Sequence, residues 1–492
     1  MTLMPVTSFA ADAAYLTIDG SLLPGQGDSE SAWDPSTGAL VCKYAQASDA
    51  QLESAVGAAR RTGPQWAALT PEQRGAHLLA LAQAFDSNRD LLLSTVITEV
   101  GTPVAYAGGL QFDNPVAQLR WFANAPLEGS VDLGVSADGQ RHSTVLKVPI
   151  GVVAAIPAYN YPIALTLWKI GAALAAGCTC VVLAPPRAAL SVLALGQIAT
   201  KSGALPPGVL NVVSGGPRAG QFLCAHEDVR HISFTGSDAV GAEIMKQAAP
   251  TFKRVTLELG GKSPAIVLPG ADVEEAARLI HPRYARNAGQ GCASPTRILV
   301  AHAQMDDFID ASRSVYDGFT VGDPWDPATV VGPVIRPEHK RRIEDMISAA
   351  LNRGARVVLG GGEVGRDTGW WVSPHLISDI GNDDPISQDE VFGPVAVLIP
   401  YSGPEQAIEI ANATRFGLAG YVYGDPELAT SVARRLRAGT VTINNASGPR
   451  FDAPFGGFGH SGYGRECGPW GIEEFLALQH VQMSAATAAH AW

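Results

Sequence analysis

The chain has 492 residues, 46% apolar and 17% charged, which is long enough for two or three domains with large cores and excludes a disordered or fibrous protein. A net charge of -12, with 35 Lys and Arg against 47 Asp and Glu and only the short cationic run Lys340 to Arg342, speaks against nucleic acid as a partner. Six cysteines, isolated except for Cys178 and Cys180 in C-T-C, form neither a disulfide framework nor paired zinc knuckles, and eleven histidines show no H-E-x-x-H spacing, so no metal is implied.

The first 42 residues contain no Lys or Arg, so the charged start of a secretory signal is missing and a cytoplasmic location is expected. Before Tyr15 the chain reads as irregular. Residues 126 to 147 have strand-turn-strand character with a Gly and Asp turn signal. The uncharged run Val148 to Trp168 is as long as a membrane span, but Pro149, Pro157, Pro162 and Asn160 break it into strand, loop and helix start. No membrane is expected.

From residue 148 onward, "GVVAAIP", "CTCVVLAP", "LNVVSGG" and "HISFTGS" alternate with helical stretches. Apolar strands linked by helices predict a parallel doubly wound sheet, which binds ligands at the carboxyl ends of its strands. After Glu258 a second series, "PAIVL", "RILVA", "RVVLGG", "FGPVAVLIPY" and "GTVTINN", predicts another α/β unit. The tail "FLALQHVQM" reads as a last strand. It and residues 126 to 147 suit pairing between subunits, with edge strands of the core an equal alternative.

Two motif matches fail on inspection. Gly457, Gly459 and Gly462 satisfy G-x-G-x-x-G, but no clear helix and strand follow them, and "TLELGGKS" has Thr256 where a phosphate loop needs glycine. Other residues carry more chemistry. A free cysteine is usually a small buried hydrophobe, and that suits Cys42, Cys178, Cys180, Cys224 and Cys467. Cys292, in "NAGQGCASPTR", differs because Gly291 and Ala293 leave room at its sulfur. Glu258 ends an apolar strand just before a Gly pair, a setting that raises a carboxyl pKa as a general base needs. Asn160 sits in a turn between Pro157 and Pro162, where turn chemistry alone would account for it.

In order and spacing, "PAYNYP", "FTGS", "LELGGKSP", "GQGC" and "EVFGP" resemble the aldehyde dehydrogenase superfamily over nearly the whole chain. The resemblance implies an α/β fold: a doubly wound parallel sheet cofactor domain (1–125 and 148–258), a second α/β catalytic domain carrying the nucleophile (259–445), and a small β oligomerisation extension (126–147 and 474–492). It implies oxidation of an aldehyde to the acid with NAD, NADP being possible, in a homodimer or homotetramer. Cys292 would be the nucleophile, Glu258 the base that activates water, and Asn160 an oxyanion donor, with Lys169 near the active site. Ile156, Pro157, Ala158, Phe234, Gly236, Ser237, Gly241, Leu259, Glu390 and Phe392 would hold the cofactor. Tyr161, Leu165, Trp168, Gly291, Ala293 and Phe455 would line an apolar substrate channel, implying an aliphatic, terpenoid or aromatic aldehyde.

The chain departs from the family pattern at Ala184 and Arg187, where many members have a lysine and a glutamate for the adenine ribose. Arg187 could meet a 2′-phosphate, whereas the absence of a lysine at Ala184 favours NAD. Glu466 in "GRECG" reads as a structural ion pair more than as a proton carrier. The alternatives are an NADP-dependent semialdehyde dehydrogenase, for which Arg283 or Arg450 would have to enter from a loop, and a silent binding protein of the same fold.

Overall fold

Runs of Val, Ile, Leu and Ala without polar alternation form strands covered on both faces, and five of them make the parallel centre of one sheet. In a computed structural model, which describes Leu3 and residues 13–446 and 450–491, with no side chains beyond Ala488, these are Val152–Ile156, Thr179–Ala184, Leu210–Ser214, Val229–Thr235 and Arg254–Glu258. Their order across the sheet is 254–258, 229–235, 152–156, 179–184, 210–214. The helices Pro162–Ala176 and Ala189–Ser202 connect them and end at Gly177 and Gly203 in left-handed conformation, the usual way for glycine to close a helix.

Antiparallel strands close both margins of this eight-stranded sheet. Leu16–Ile18 and Ser21–Leu23 cover one side, and Gly462–Tyr463 pairs with Leu257 and Glu258 on the other. Gly462 has φ 133°, and a Cβ there would overlap the Leu257 carbonyl. The glycine run that failed as a dinucleotide fingerprint is therefore a turn that brings the chain back against Glu258.

A seven-stranded sheet follows, ordered 356–360, 375–378, 395–401, 295–301, 263–267, 419–423 and 440–443 and parallel except at the first strand. Its strands His375–Ser378 and Ala419–Tyr423 were not among the sequence expectations. A three-stranded sheet joins Ser130–Val135, Arg141–Pro149 and Leu476–Ser484, so the tail strand pairs with the hairpin more than 300 residues before it. The tail then turns into a short helix, Ala485–Ala491, that was not expected. A separate hairpin joins Ser29–Asp34 to Ala39–Ala45. Most of the segment before Tyr15, expected to be irregular, and Trp492 of the tail lie outside the described residues. Among the described residues no helix is long and apolar enough to cross a membrane.

Candidate active site

The carboxyl ends of three parallel strands meet the loop before Pro295. Register sets Ile156 beside Phe234 and Thr235 beside Glu258, so the segments after these positions open on one cleft. Across it lies Cys292, reached through a short turn in which Asn287 (φ 52°) and Ala288 (φ 54°) are both left-handed. Asparagine tolerates that region better than most residues, and alanine is held there by its neighbours.

Asn160 is buried, and its side-chain Nδ2 donates to the Gln290 carbonyl at 2.9 Å, two residues before Cys292. One bond uses one of two amide hydrogens, so one remains. The Cys292 backbone N–H likewise donates to no acceptor among the described residues. Burial and then the nearby Glu258 charge push the Cys292 thiol well up, while the Ala293 N–H works the other way.

Glu258 is buried, and neither carboxylate oxygen accepts a hydrogen bond among the described residues. Burial, with the Glu466 charge second, pushes its pKa up to about 8, against the opposing pull of Cys292 and Lys169. Lys169 lies on the helix Pro162–Ala176, fully buried, and its Nζ is paired with Glu466 Oε1 and donates to Ser233 Oγ at 3.4 Å. Glu466 and Lys169 thus form a buried ion pair that acts electrostatically on Glu258 from the protein side. The expected ion pair at Glu466 exists. Its position beside the base was not legible from "GRECG", where a carboxylate among glycines was the only signal.

The residues expected at a dinucleotide also converge. Ser237 caps the helix Asp238–Ala248, its Oγ accepting from the Val240 N–H at 3.4 Å while Asp238 Oδ1 accepts from the Ala239 N–H at 2.9 Å, and the positive end of the helix faces the cleft. A Cβ on Gly241 would lie 2.8 Å from Leu259 Cδ2, and one on Gly236 would strike the Phe234 ring, so both glycines are needed where helix start and strand ends approach. Glu390 accepts from the Gly261 N–H at 2.9 Å, and burial raises its pKa to about 7. Phe392, left-handed at φ 54°, stands edge-on to Tyr159 with ring centroids 6.0 Å apart. Pro157 is buried, and Ile156 and Ala158 are half-buried beside Tyr159. Arg187 lies over the Tyr159 ring, 5.5 Å from its centroid, which ties it to this cleft although it is otherwise exposed. A cleft with a helix start, close-approach glycines and an aromatic rim fits a dinucleotide.

On the other side of Cys292, Trp168 and Phe455 meet edge-to-face at 5.4 Å, Leu165 is buried one turn before Trp168, and the Tyr161 hydroxyl lies 3.8 Å from where a Gly291 Cβ would stand. Gly291 and Ala293 are half-buried. Sequence reasoning missed Thr102, Gln111, Asn287 and Gln290, which fix the two loops by side-chain bonds from distant elements. Among the described residues no three His, Cys, Asp or Glu side chains group as a metal site would require.

The profile of the aldehyde dehydrogenase family matches residues 23–481. Geranial dehydrogenase of Castellaniella defragrans is 36% identical over 96% of this chain and 99% of its own length. The chloroplastic betaine aldehyde dehydrogenase of Beta vulgaris is 35% identical over 93% of this chain and 94% of its own. A Pseudomonas syringae aldehyde dehydrogenase solved with NAD+ and octanal superposes with a TM-score of 0.91 at 34% identity, covering 96% of this chain and 97% of that one. A Mycobacterium tuberculosis aldehyde dehydrogenase solved with NAD+ gives 0.92 at 36%, covering 96% and 98%. The chain belongs to the aldehyde dehydrogenase family. It is an NAD(P)-dependent aldehyde dehydrogenase.

Proposed function

We propose that this enzyme oxidises an aldehyde of apolar carbon chain, aliphatic, terpenoid or aromatic, to its carboxylic acid with NAD+ through a thioester on Cys292. The observation that carries the reading is that the Asn160 amide holds the Gln290 carbonyl two residues before Cys292, while Gly261, three residues past a buried Glu258 carboxyl with no hydrogen-bond partner among the described residues, packs against the Cys292 carbonyl. Cys292, as thiolate, adds to the aldehyde carbon. The second Asn160 N–H and the Cys292 N–H donate to the oxygen that becomes negative; losing one such donor typically costs about 2.7 to 4 kcal/mol in barrier.

NAD+ supplies the hydride acceptor when bound, with Ser237 and the helix it caps at the phosphates and Glu390 and Phe392 at the nicotinamide end. Supporting NAD+ are the related structures solved with it and the absence of a lysine at Ala184. Arg187 beside Tyr159 gives NADP+ a secondary hold. Glu258, once ionised, takes a proton from water as it attacks the thioester, and Lys169 with Glu466 holds charge behind it. A carboxylate poised to activate water favours hydrolysis over acyl transfer to a thiol cofactor. Free thiols at all six cysteines suit a reducing cytoplasm, and the three-stranded sheet suits assembly of a homodimer or homotetramer.

The test is the rise of reduced-nicotinamide absorbance with hexanal, citral or benzaldehyde, with NAD+ and NADP+ in parallel. Turnover should be higher with NAD+ and vanish in Cys292→Ala. Full activity in that variant would refute the nucleophile.

A further inference from the structure

Resting on the roles proposed for Glu390 and Phe392 at the nicotinamide end, we infer that His339 and Arg342 are positioning residues for hydride transfer: they clamp the Glu390 to Phe392 segment by its backbone and set it against the Cys292 loop. His339, Arg342 and Ile343 stand at i, i+3 and i+4 on the helix Pro337–Asn352 and so share one face of it. His339 Nε2 is 2.7 Å from the Phe392 carbonyl oxygen, Arg342 Nη1 donates to the Val391 carbonyl at 2.8 Å, and Arg342 Nη2 donates to the Glu390 carbonyl at 2.6 Å. Three consecutive carbonyls are held by two side chains. Among the described residues no backbone N–H is bonded to any of the three.

The segment needs such a hold. Phe392 is left-handed at φ 54°, a conformation that a bulky residue keeps only where its surroundings over-determine it. Residues 390–392 lie in neither helix nor strand, and backbone bonds fix only what flanks them: the Asp389 N–H donates to the Pro385 carbonyl at 2.7 Å, and the Pro394 carbonyl accepts from the His375 N–H at 2.9 Å. Burial lowers the His339 pKa to about 4 against the pull of the Phe392 carbonyl, and the charges of Arg342 and Arg187 add to the fall. The neutral ring has one N–H, and a carbonyl only accepts, so that proton sits on Nε2. The imidazole also stands edge-on to the Phe392 ring, with centroids 6.1 Å apart.

Two further contacts carry the clamp to the nucleophile. A Cβ on Gly393 would lie 2.6 Å from Ile343 Cδ1 on the same helix, and one on Gly289, three residues before Cys292, would overlap the Gly393 carbonyl carbon. Ile335, two residues before the helix, donates its N–H to Gln290 Oε1 at 3.1 Å. One helix therefore touches both the segment that presents Glu390 and Phe392 and the loop that presents Cys292. Hydride transfer falls steeply with small errors in the approach of the reacting carbon to the acceptor ring, so backbone placement here is a matter of rate.

The test uses NAD+ and hexanal with His339→Leu, which keeps bulk and removes the donor, His339→Gln, which returns an amide N–H, and Arg342→Met, which changes an exposed side chain. With enzyme in excess, the single-turnover rate of NADH formation should fall about tenfold in His339→Leu and in Arg342→Met, with KM for hexanal moving less than about threefold and the calorimetric Kd for NAD+ rising about fivefold. His339→Gln should recover most of both losses, which a general loosening of the fold would not allow. Wild-type rates and NAD+ affinity in both donor-free variants, or a glutamine variant no better than leucine, would overturn the clamp. Calorimetry needs no aldehyde, so an enzyme that binds NAD+ but leaves hexanal, citral and benzaldehyde unchanged would lose the proposed function while the NAD+ affinities still decide the clamp. A wild type that binds no NAD+ would overturn both.

Discussion

At the scale of single residues, the ionisation of Glu258 decides when the thioester can be cleaved. Burial, with the charge of Glu466 behind it, sets its pKa at about 8, so near pH 7 only about one carboxyl in ten is ionised. A base must be ionised to accept a proton, and the sign follows. If hydrolysis limits turnover, kcat should rise almost tenfold per pH unit below 8 and level off above it, which a stopped-flow and steady-state pH series can measure. Glu258→Gln should remove that rise and slow turnover by about 10²- to 10⁴-fold, the usual loss of a general base. The first turnover should still occur, giving a burst of reduced cofactor with acyl-enzyme accumulating, and undiminished steady turnover would exclude the role.

At the scale of elements, catalysis depends on holding the Asn160 turn and the Cys292 loop together. Asn287 Nδ2 donates to the Asn160 carbonyl at 3.1 Å, Thr102 Oγ1 donates to Asn287 Oδ1 at 2.8 Å, and Gln111 Nε2 reaches the same Asn160 carbonyl at 3.0 Å. Gln290 closes the loop on itself through the Asn287 carbonyl and accepts from the Ile335 N–H, each at 3.1 Å. Asn287→Ala removes two buried bonds and puts alanine at φ 52°, so a loss of about 2 to 4 kcal/mol in stability is expected. Asn287→Gly should recover the backbone part alone. Thermal melts would separate the two, and kcat should stay well below wild type in both, because neither can orient Asn160. A full kcat in the glycine variant would show that the strap is dispensable. This is also where the sequence stops being readable. The parallel strands and the positions of Cys292, Glu258 and Asn160 follow from local pattern and motif, because apolar runs and glycine turns act over a few residues. Thr102 and Asn287 are 185 positions apart, and nothing local marks them as partners. The short strands His375–Ser378 and Ala419–Tyr423 escaped for a similar reason, since their pairing comes from neighbours in the sheet. Arg187 shows the same limit: its residue type was visible, but its seat on Tyr159 depends on the fold.

At the scale of the whole molecule, the three-stranded sheet leaves apolar side chains in water. Val131, Leu133 and Val135 are 40, 60 and 55% exposed along one outer strand, and Leu478 on the tail strand is 72% exposed. Among the described residues the strand Ser130–Val135 also has an unpaired edge, because Arg141–Pro149 is its one neighbour in the sheet. An apolar edge of this kind invites pairing with another chain, and natural proteins either charge such edges or cover them. Here the strand carries a single charge, Asp132, and no lysine or proline. A second copy of the chain is the cover that requires no other protein, and a closed pair would satisfy both edges at once. Light scattering on purified enzyme should therefore give at least twice the 51.4 kDa of one chain. Leu133→Asp with Leu478→Asp should shift it towards one chain mass and lower the melting temperature, while the strands keep their hydrogen bonds. Wild-type protein that runs as a monomer at micromolar concentration would leave this surface without its partner and exclude the assembly.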